Sequence, residues 1–205
     1  MDGKMVAFEQ RCSGFFKSLW PGEEKPLVFG KGLCQQPVLM LIGEAPGEQE
    51  VLAGEPFVGK AGKNLTAFLE MAGLERKDIY ITNAVKIRPV RLSPAGRLVN
   101  RPPTREEIGL FRPFLMEEIA LVAPHMVVTL GNVPLKALTD EKTVIGQCHG
   151  QLLECGIRRG EKADLSMPLF PLYHPASVIY NPSLKKVYED DMGLLREIVR
   201  GKLSL

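Results

Sequence analysis

The chain has 205 residues, 45% of them hydrophobic and 24% charged, and carries a formal net charge of +2. That balance excludes a disordered polymer and a strongly basic nucleic-acid tail, and the length suits one domain with an ordinary core. A local basic patch stays open, because net charge averages over faces.

The N-terminus, "MDGKMVAFEQ", lacks the apolar centre of a signal peptide, and no apolar run reaches the roughly 18 to 20 residues that a bilayer span needs. A cytoplasmic protein with no membrane attachment is expected. Cys12, Cys34, Cys148 and Cys155 form no C-x-x-C pair and are read as reduced.

Four apolar runs read as buried strands: "PVLMLIG" (37–43), "DIYITNAV" (78–85), "HMVVTLG" (125–131) and "PLFPLYHP" (168–175). Helical patterns separate them. "GKNLTAFLEMAGL" sets Leu65, Phe68, Leu69 and Ala72 on one face, with Gly73 as its C-terminal cap. "TREEIGLFRPFLMEEIALVA" opens with Thr104 and Glu107 at capping-box spacing, although Pro113 lies inside it. "SLKKVYEDDMGLLREIVRGKL" reads as a closing helix. Alternating strand and helix predicts a single α/β domain over residues 1–205, with its core at about 28–200. The architecture expected is a three-layer α/β/α sandwich around a mostly parallel four-stranded sheet.

Ligands of such sheets collect beyond the carboxyl ends of the strands. The first strand leaves through Gly43-Glu44-Ala45-Pro46-Gly47, a rigid turn able to bring backbone and a carboxylate close to a flat ligand. It is not a dinucleotide loop, since it offers G-x-x-P-G where G-x-G-x-x-G is required; elsewhere Gly30 and Gly32 are followed by Gln35 instead of a third glycine. In "GEPFVGKAG", Phe57 sits among small and turn-forming residues. It either plugs the loop or stacks on a planar base. Lys60 and Lys63 open the next helix, where phosphates are met or the side chains are simply solvated. Asn83 ends the second strand, as a loop cap or as a donor–acceptor pair for a pyrimidine edge. His174 ends the last strand, fixed by Pro175, and is the residue best placed for acid or electrostatic work. His125 and His149 are read as structural.

Together, "GEAPGEQE…GEPFVGKAGKNL", "YITNAVKIRP", "VVTLGNVPLKAL" and "YHPASVI" resemble the uracil-DNA glycosylase superfamily, most closely its family 4. The resemblance runs from about Gly30 to Ile198. It implies a monofunctional DNA-repair hydrolase that flips uracil out of DNA, single- or double-stranded, and leaves an abasic site. Another deaminated base such as hypoxanthine or xanthine, or a non-catalytic nucleic-acid-binding homologue, stays as an alternative. By the same resemblance Glu44 activates water, Phe57 stacks on uracil, Asn83 reads its edge and His174 supports the departing base. Gly43, Ala45 and Gly47 complete the pocket.

DNA contact is expected from Lys60, Lys63, Arg88, Arg91, Ser177, Lys185 and Lys186, with Val178, Ile179 or Tyr180 as an apolar wedge. The protein is expected to act as a monomer. Family 4 implies a 4Fe-4S cluster on four cysteines. Here Ile87 and Phe111 occupy two of those positions and Cys12 has no partner at the required spacing. No cluster and no metal are therefore expected, with apolar packing among Ile87, Phe111, Phe15, Phe16, Leu19 or Trp20 in their place.

Overall fold

The computed structural model describes residues 3–140, 142–159 and 162–202. Helix α1 (Gly3–Leu19) leads to a two-residue strand, β1 (Lys31–Gly32), and then to β2 (Leu39–Gly43), whose five residues are all buried. Helices α2 (Glu48–Ala53) and α3 (Lys60–Met71) follow, then β3 (Tyr80–Asn83) and a small hairpin, β4 (Val90–Leu92) with β5 (Leu98–Asn100). The second half runs α4 (Arg105–Val122), β6 (Met126–Leu130), α5 (Asn132–Leu138), α6 (Ile145–Cys148), β7 (Leu153–Arg159), β8 (Lys162–Leu172), α7 (Ser177–Tyr180) and α8 (Leu184–Lys202).

The main sheet has the order β1-β3-β2-β6-β8-β7. Its four central strands are mutually parallel, while β1 and β7 pair antiparallel at the two edges. The expectation of four strands is corrected to six. The parallel four fall on the largely apolar runs. The two edges escape a pattern reading because β1 is too short to show a period and β7, "LECGIRR", alternates poorly.

Strand alternation splits the core in two. Met40, Ile42 and Val127 face α1, α4 and α5 through Phe8, Leu115, Ile119 and Leu135. Leu39, Leu41, Val128 and Phe170 face α3 and α8 through Leu65, Leu69, Tyr188 and Leu195. This is the three-layer arrangement. The capping box of α4 forms as expected: the Glu107 amide donates to Thr104 Oγ1 and the Thr104 amide to Glu107 Oε2, at 3.1 and 2.7 Å. Gly73 follows α3 at φ +72°, the left-handed turn that favours glycine. The parallel register sets Gly43 beside Asn83 and Leu130 beside Leu172, so Gly43, Asn83, Gly131 and His174 gather along one rim.

Candidate active site

The turn after β2 is stitched to the segment after β3. The Ala84 amide donates to the Gly43 carbonyl at 2.8 Å, and the Val85 amide to that of Glu44 at 3.0 Å. Gly47 then starts α2, and Glu50, three residues on, folds its carboxylate back. Oε2 accepts from the Gly47 amide and Oε1 from the Gly59 amide at the start of α3, each at 3.1 Å. One carboxylate thus ties together the starts of two helices, both of which favour negative charge.

Gly43 is required by contact rather than by its dihedral angles. A Cβ there would lie 2.4 Å from Asn83 Oδ1 and 2.5 Å from the Phe57 ring. Phe57 is buried and has φ +58°, a left-handed conformation that costs a side chain roughly 1–2 kcal/mol. Arg76 holds it there by donating to the Pro56 and Phe57 carbonyls at 2.9 and 3.2 Å. Gly62 leaves room for that same carbonyl, since a Cβ would stand 1.7 Å from it. A strained aromatic kept in place by its surroundings is typical of a working site.

The Phe57 ring lies near-parallel to the His174 imidazole, with centroids 5.8 Å apart. The Ala176 amide donates to His174 Nδ1 at 3.1 Å, which assigns the ring proton to Nε2. Burial pulls the His174 pKa down to about 4, against the opposing pull of Glu50. At neutral pH the ring is an uncharged N–H donor.

These groups surround a cavity of about 200 Å³, whose walls include Ala45, Glu50, Phe57, Asn83, Asn100 and His174. Drug-sized sites are typically about 300–1,000 Å³, so this one suits a single ring. Asn83 is 2% exposed. Glu44 stands half-buried beside the cavity, outside its wall, and burial raises its carboxyl pKa. The carboxylate in the wall is that of Glu50. Asn100 reaches the cavity from β5, with Oδ1 accepting from Arg88 Nε at 2.7 Å. From the sequence Glu50 is expected only as a supporting, structural residue, and Asn100 does not stand out. The spacing of Gly47 and Glu50 is the one available signal, a helix-capping pattern; Asn100 arrives by a hairpin that leaves no local mark.

The expected DNA contacts divide. Lys60 and Lys63 are exposed at the start of α3, and Arg91 is exposed on the hairpin. Arg88 turns inward to Asn100 and to Glu48, 3.2 Å away, and fastens the hairpin. Lys186 pairs with Asp190 at 2.7 Å and Lys185 with Glu189 at 3.9 Å, along their own helix. The Ser177 amide closes the turn on the His174 carbonyl at 2.8 Å. Among the wedge residues Val178 packs inward, while Ile179 and Tyr180 are 45% and 86% exposed.

The family model of the uracil DNA glycosylase superfamily matches residues 29–192. The chain belongs to this superfamily. It is 39% identical over 200 residues to the type-4 uracil-DNA glycosylase of Saccharolobus solfataricus, covering 94% of this chain and 82% of that one. To the type-4 uracil-DNA glycosylase of Archaeoglobus fulgidus it is 37% identical, covering 78% and 76%. The crystal structure of Pedobacter heparinus SMUG2 superposes with a TM-score of 0.52 at 12% identity, covering 95% of this chain and 83% of that one, a likeness of fold.

The superfamily resemblance raises the question of a cluster, and the residues do not fit one. Ile87 and Phe111 are buried with Cys12, Phe16 and Val85 in one apolar group, against which Trp20 packs. Phe111 stacks on Phe16, with centroids 4.1 Å apart and planes 18° apart. Leu19 and Phe15 are 41% and 44% exposed, though Phe15 still edges against Phe16. The thiol in this group is that of Cys12, pushed up to about 12 by burial, whereas a ligand thiol must be deprotonated. Among the described residues no group of three or more His, Cys, Asp or Glu side chains gathers to hold a metal ion. No helix among them is long and apolar enough to cross a membrane.

Proposed function

We propose that this protein is a monofunctional uracil-DNA glycosylase, hydrolysing the N-glycosidic bond of a uracil flipped out of DNA, without an iron–sulfur cluster. The observation that carries the reading is the single-ring cavity that joins the Phe57 ring, the Asn83 amide and the uncharged His174 N–H.

Flipping the nucleotide costs a few kcal/mol, of which stacking on Phe57 returns about 1–3. The Asn83 amide accepts from uracil N3–H and donates to O4. Cytosine presents the reverse at both positions and leaves buried polar groups unpaired. As the C1′–N1 bond breaks, its electron pair moves onto the base. His174 Nε2–H then donates to the pyrimidine oxygen on which the charge builds, a role for which a neutral donor suffices. Positive charge on the sugar faces Glu50 in the wall and Glu44 beside it. Glu44, its pKa raised by burial, takes the proton of the attacking water, and the Asn100 amide helps place that water. Because no lysine lines the cavity, the reading includes no covalent imine step. Lys60, Lys63 and Arg91 contact phosphates, and Ile179 and Tyr180 fill the gap left by the base. The aromatic group around Phe111 takes the structural place of a cluster.

The test is incubation with uracil-containing single- and double-stranded oligonucleotides, followed by alkali. Strand breakage by the native protein and not by His174→Ala supports the reading. Release of hypoxanthine alone, or binding without release, overturns it. A visible absorbance band with stoichiometric iron in protein purified under anaerobic conditions overturns the cluster-free part.

A further inference from the structure

Lys86 and Glu118 are both fully buried, a lysine on the loop after β3 and a glutamate on α4, their charged atoms 2.6 Å apart. The ammonium has three N–H bonds and three acceptors: Glu118 Oε2, Thr82 Oγ1 at 2.6 Å, and the backbone carbonyl of Asn83 at 2.7 Å. Glu118 Oε1 accepts from the Tyr80 hydroxyl at 3.0 Å and the Thr82 hydroxyl at 3.1 Å. Every polar atom of the group is satisfied. Buried ion pairs are commonly replaceable by apolar side chains at no loss of stability, so stability alone is a poor account of this one.

What an apolar pair could not do is hold the Asn83 carbonyl. Asn83 is the last residue of β3, still paired to β2 through the Ala84 amide, which donates to the Gly43 carbonyl. The Asn83 carbonyl, at the end of the strand, is taken by Lys86. With that peptide fixed, the Asn83 side chain projects against the bare Cα of Gly43, where no Cβ would fit.

We propose that Lys86, anchored by Glu118 and Thr82, is a positioning residue that fixes the Asn83 amide for base reading; this rests on the glycosylase reading above. Displacement of a recognition group by about 1 Å costs on the order of 100-fold in rate. Removing both charges in Lys86→Met/Glu118→Gln avoids stranding one of them.

Single-turnover uracil release is measured for this variant in the native and in the Asn83→Ala background, beside the thermal midpoint of each protein. The expected result is a loss of about 10- to 100-fold in kcat with DNA affinity little changed, shrinking below about 2-fold once Asn83 is alanine. Thr82→Val, which keeps the ion pair and removes one acceptor, is expected to give a smaller loss with the same dependence on Asn83, and serves if the paired variant does not fold. Equal losses in the two backgrounds, or losses that only follow the thermal midpoint, overturn the proposal and leave the glycosylase reading intact. No uracil release by the native chain overturns both.

Discussion

Two regions hang on the same short stretch, Asn83 to Arg88, and obey different rules. Asn83 enters the polar cavity, while Val85 and Ile87 enter the aromatic group with Phe16 and Phe111. Lys86, between them, goes to Glu118. In the cavity each position admits one chemistry. Gly43 is fixed by contact with two neighbours, His174 by its tautomer, and Phe57 by a strained backbone that Arg76 and Gly62 maintain. In the aromatic group volume and apolarity dominate, since Phe16, Val85, Ile87 and Phe111 carry no polar side-chain atom. Ala45 packs against that group and also lines the cavity, so the two share a wall. A region built on volume can trade a metal for hydrocarbon, whereas a region built on donors and acceptors has no such freedom.

Phe111→Ala separates the two most sharply. Phe111 is fully buried, and its removal is expected to cost about 3–5 kcal/mol of stability, read as the shift in denaturant midpoint. Uracil release well below the lowered transition should stay within a few-fold of native. A collapse of activity in a protein that is still folded would mean that the cavity depends on the aromatic wall in detail. His174→Ala is the mirror image. Loss of one donor to a developing anion is expected to cost 10²–10³-fold in kcat, about 2.7–4 kcal/mol, with little change in melting temperature.

The contrast also explains what could be read from the chain alone. The four parallel strands were legible because β2, β3, β6 and the end of β8 are short, largely apolar runs, and the α4 capping box because its two partners are three residues apart. Gly43, Phe57, Asn83 and His174 were legible as strand-end and loop residues, since the parallel sheet brings them to one rim. Glu50 was legible as a supporting, more structural than catalytic carboxylate but not as a wall of the cavity, and Asn100 and Lys86 were not legible as site residues. Their meaning depends on partners reached by folding: Gly59 across a loop, Arg88 across a hairpin, and Glu118, 32 residues along the chain from Lys86. The aromatic group was partly legible. Which large side chains turn inward on α1 is decided by helix phase, which keeps Phe16 and leaves Leu19 outside.

Phe57 sharpens the comparison at a smaller scale, because it belongs to both kinds of region: buried like a core residue and strained like a site residue. Phe57→Ala is expected to lose about 1–3 kcal/mol in affinity for DNA holding a flipped base, measured with a non-hydrolysable uracil analogue. Phe57→Gly should lose the same affinity yet melt higher than Phe57→Ala, because glycine accepts φ +58° without the penalty of roughly 1–2 kcal/mol. An alanine variant as stable as the glycine variant would mean that the loop relaxes and that no strain was held there.

The smallest expected effect is a flat response where a histidine usually gives a slope. An exposed imidazole titrates near 6.5, but burial takes His174 down to about 4, so its donor N–H is unchanged across the range from 5 to 7. An acid limb is expected from Glu44, whose carboxyl is raised above its ordinary 4.5 by burial and must be ionised to take a proton from water. In Glu44→Gln the residual activity should lose that limb and persist to about pH 4. Stability, unlike the donor role, does respond to His174 in this range. The unfolded chain binds a proton on this histidine below about 6.5 and the folded chain only near 4, so the stability tied to neutral His174 is lost as pH falls through that window. His174→Ala should therefore flatten the stability curve between those two values. A limb centred near 6.5 in the activity of Glu44→Gln would show an imidazole that titrates as if exposed, and the uncharged-donor role would fall.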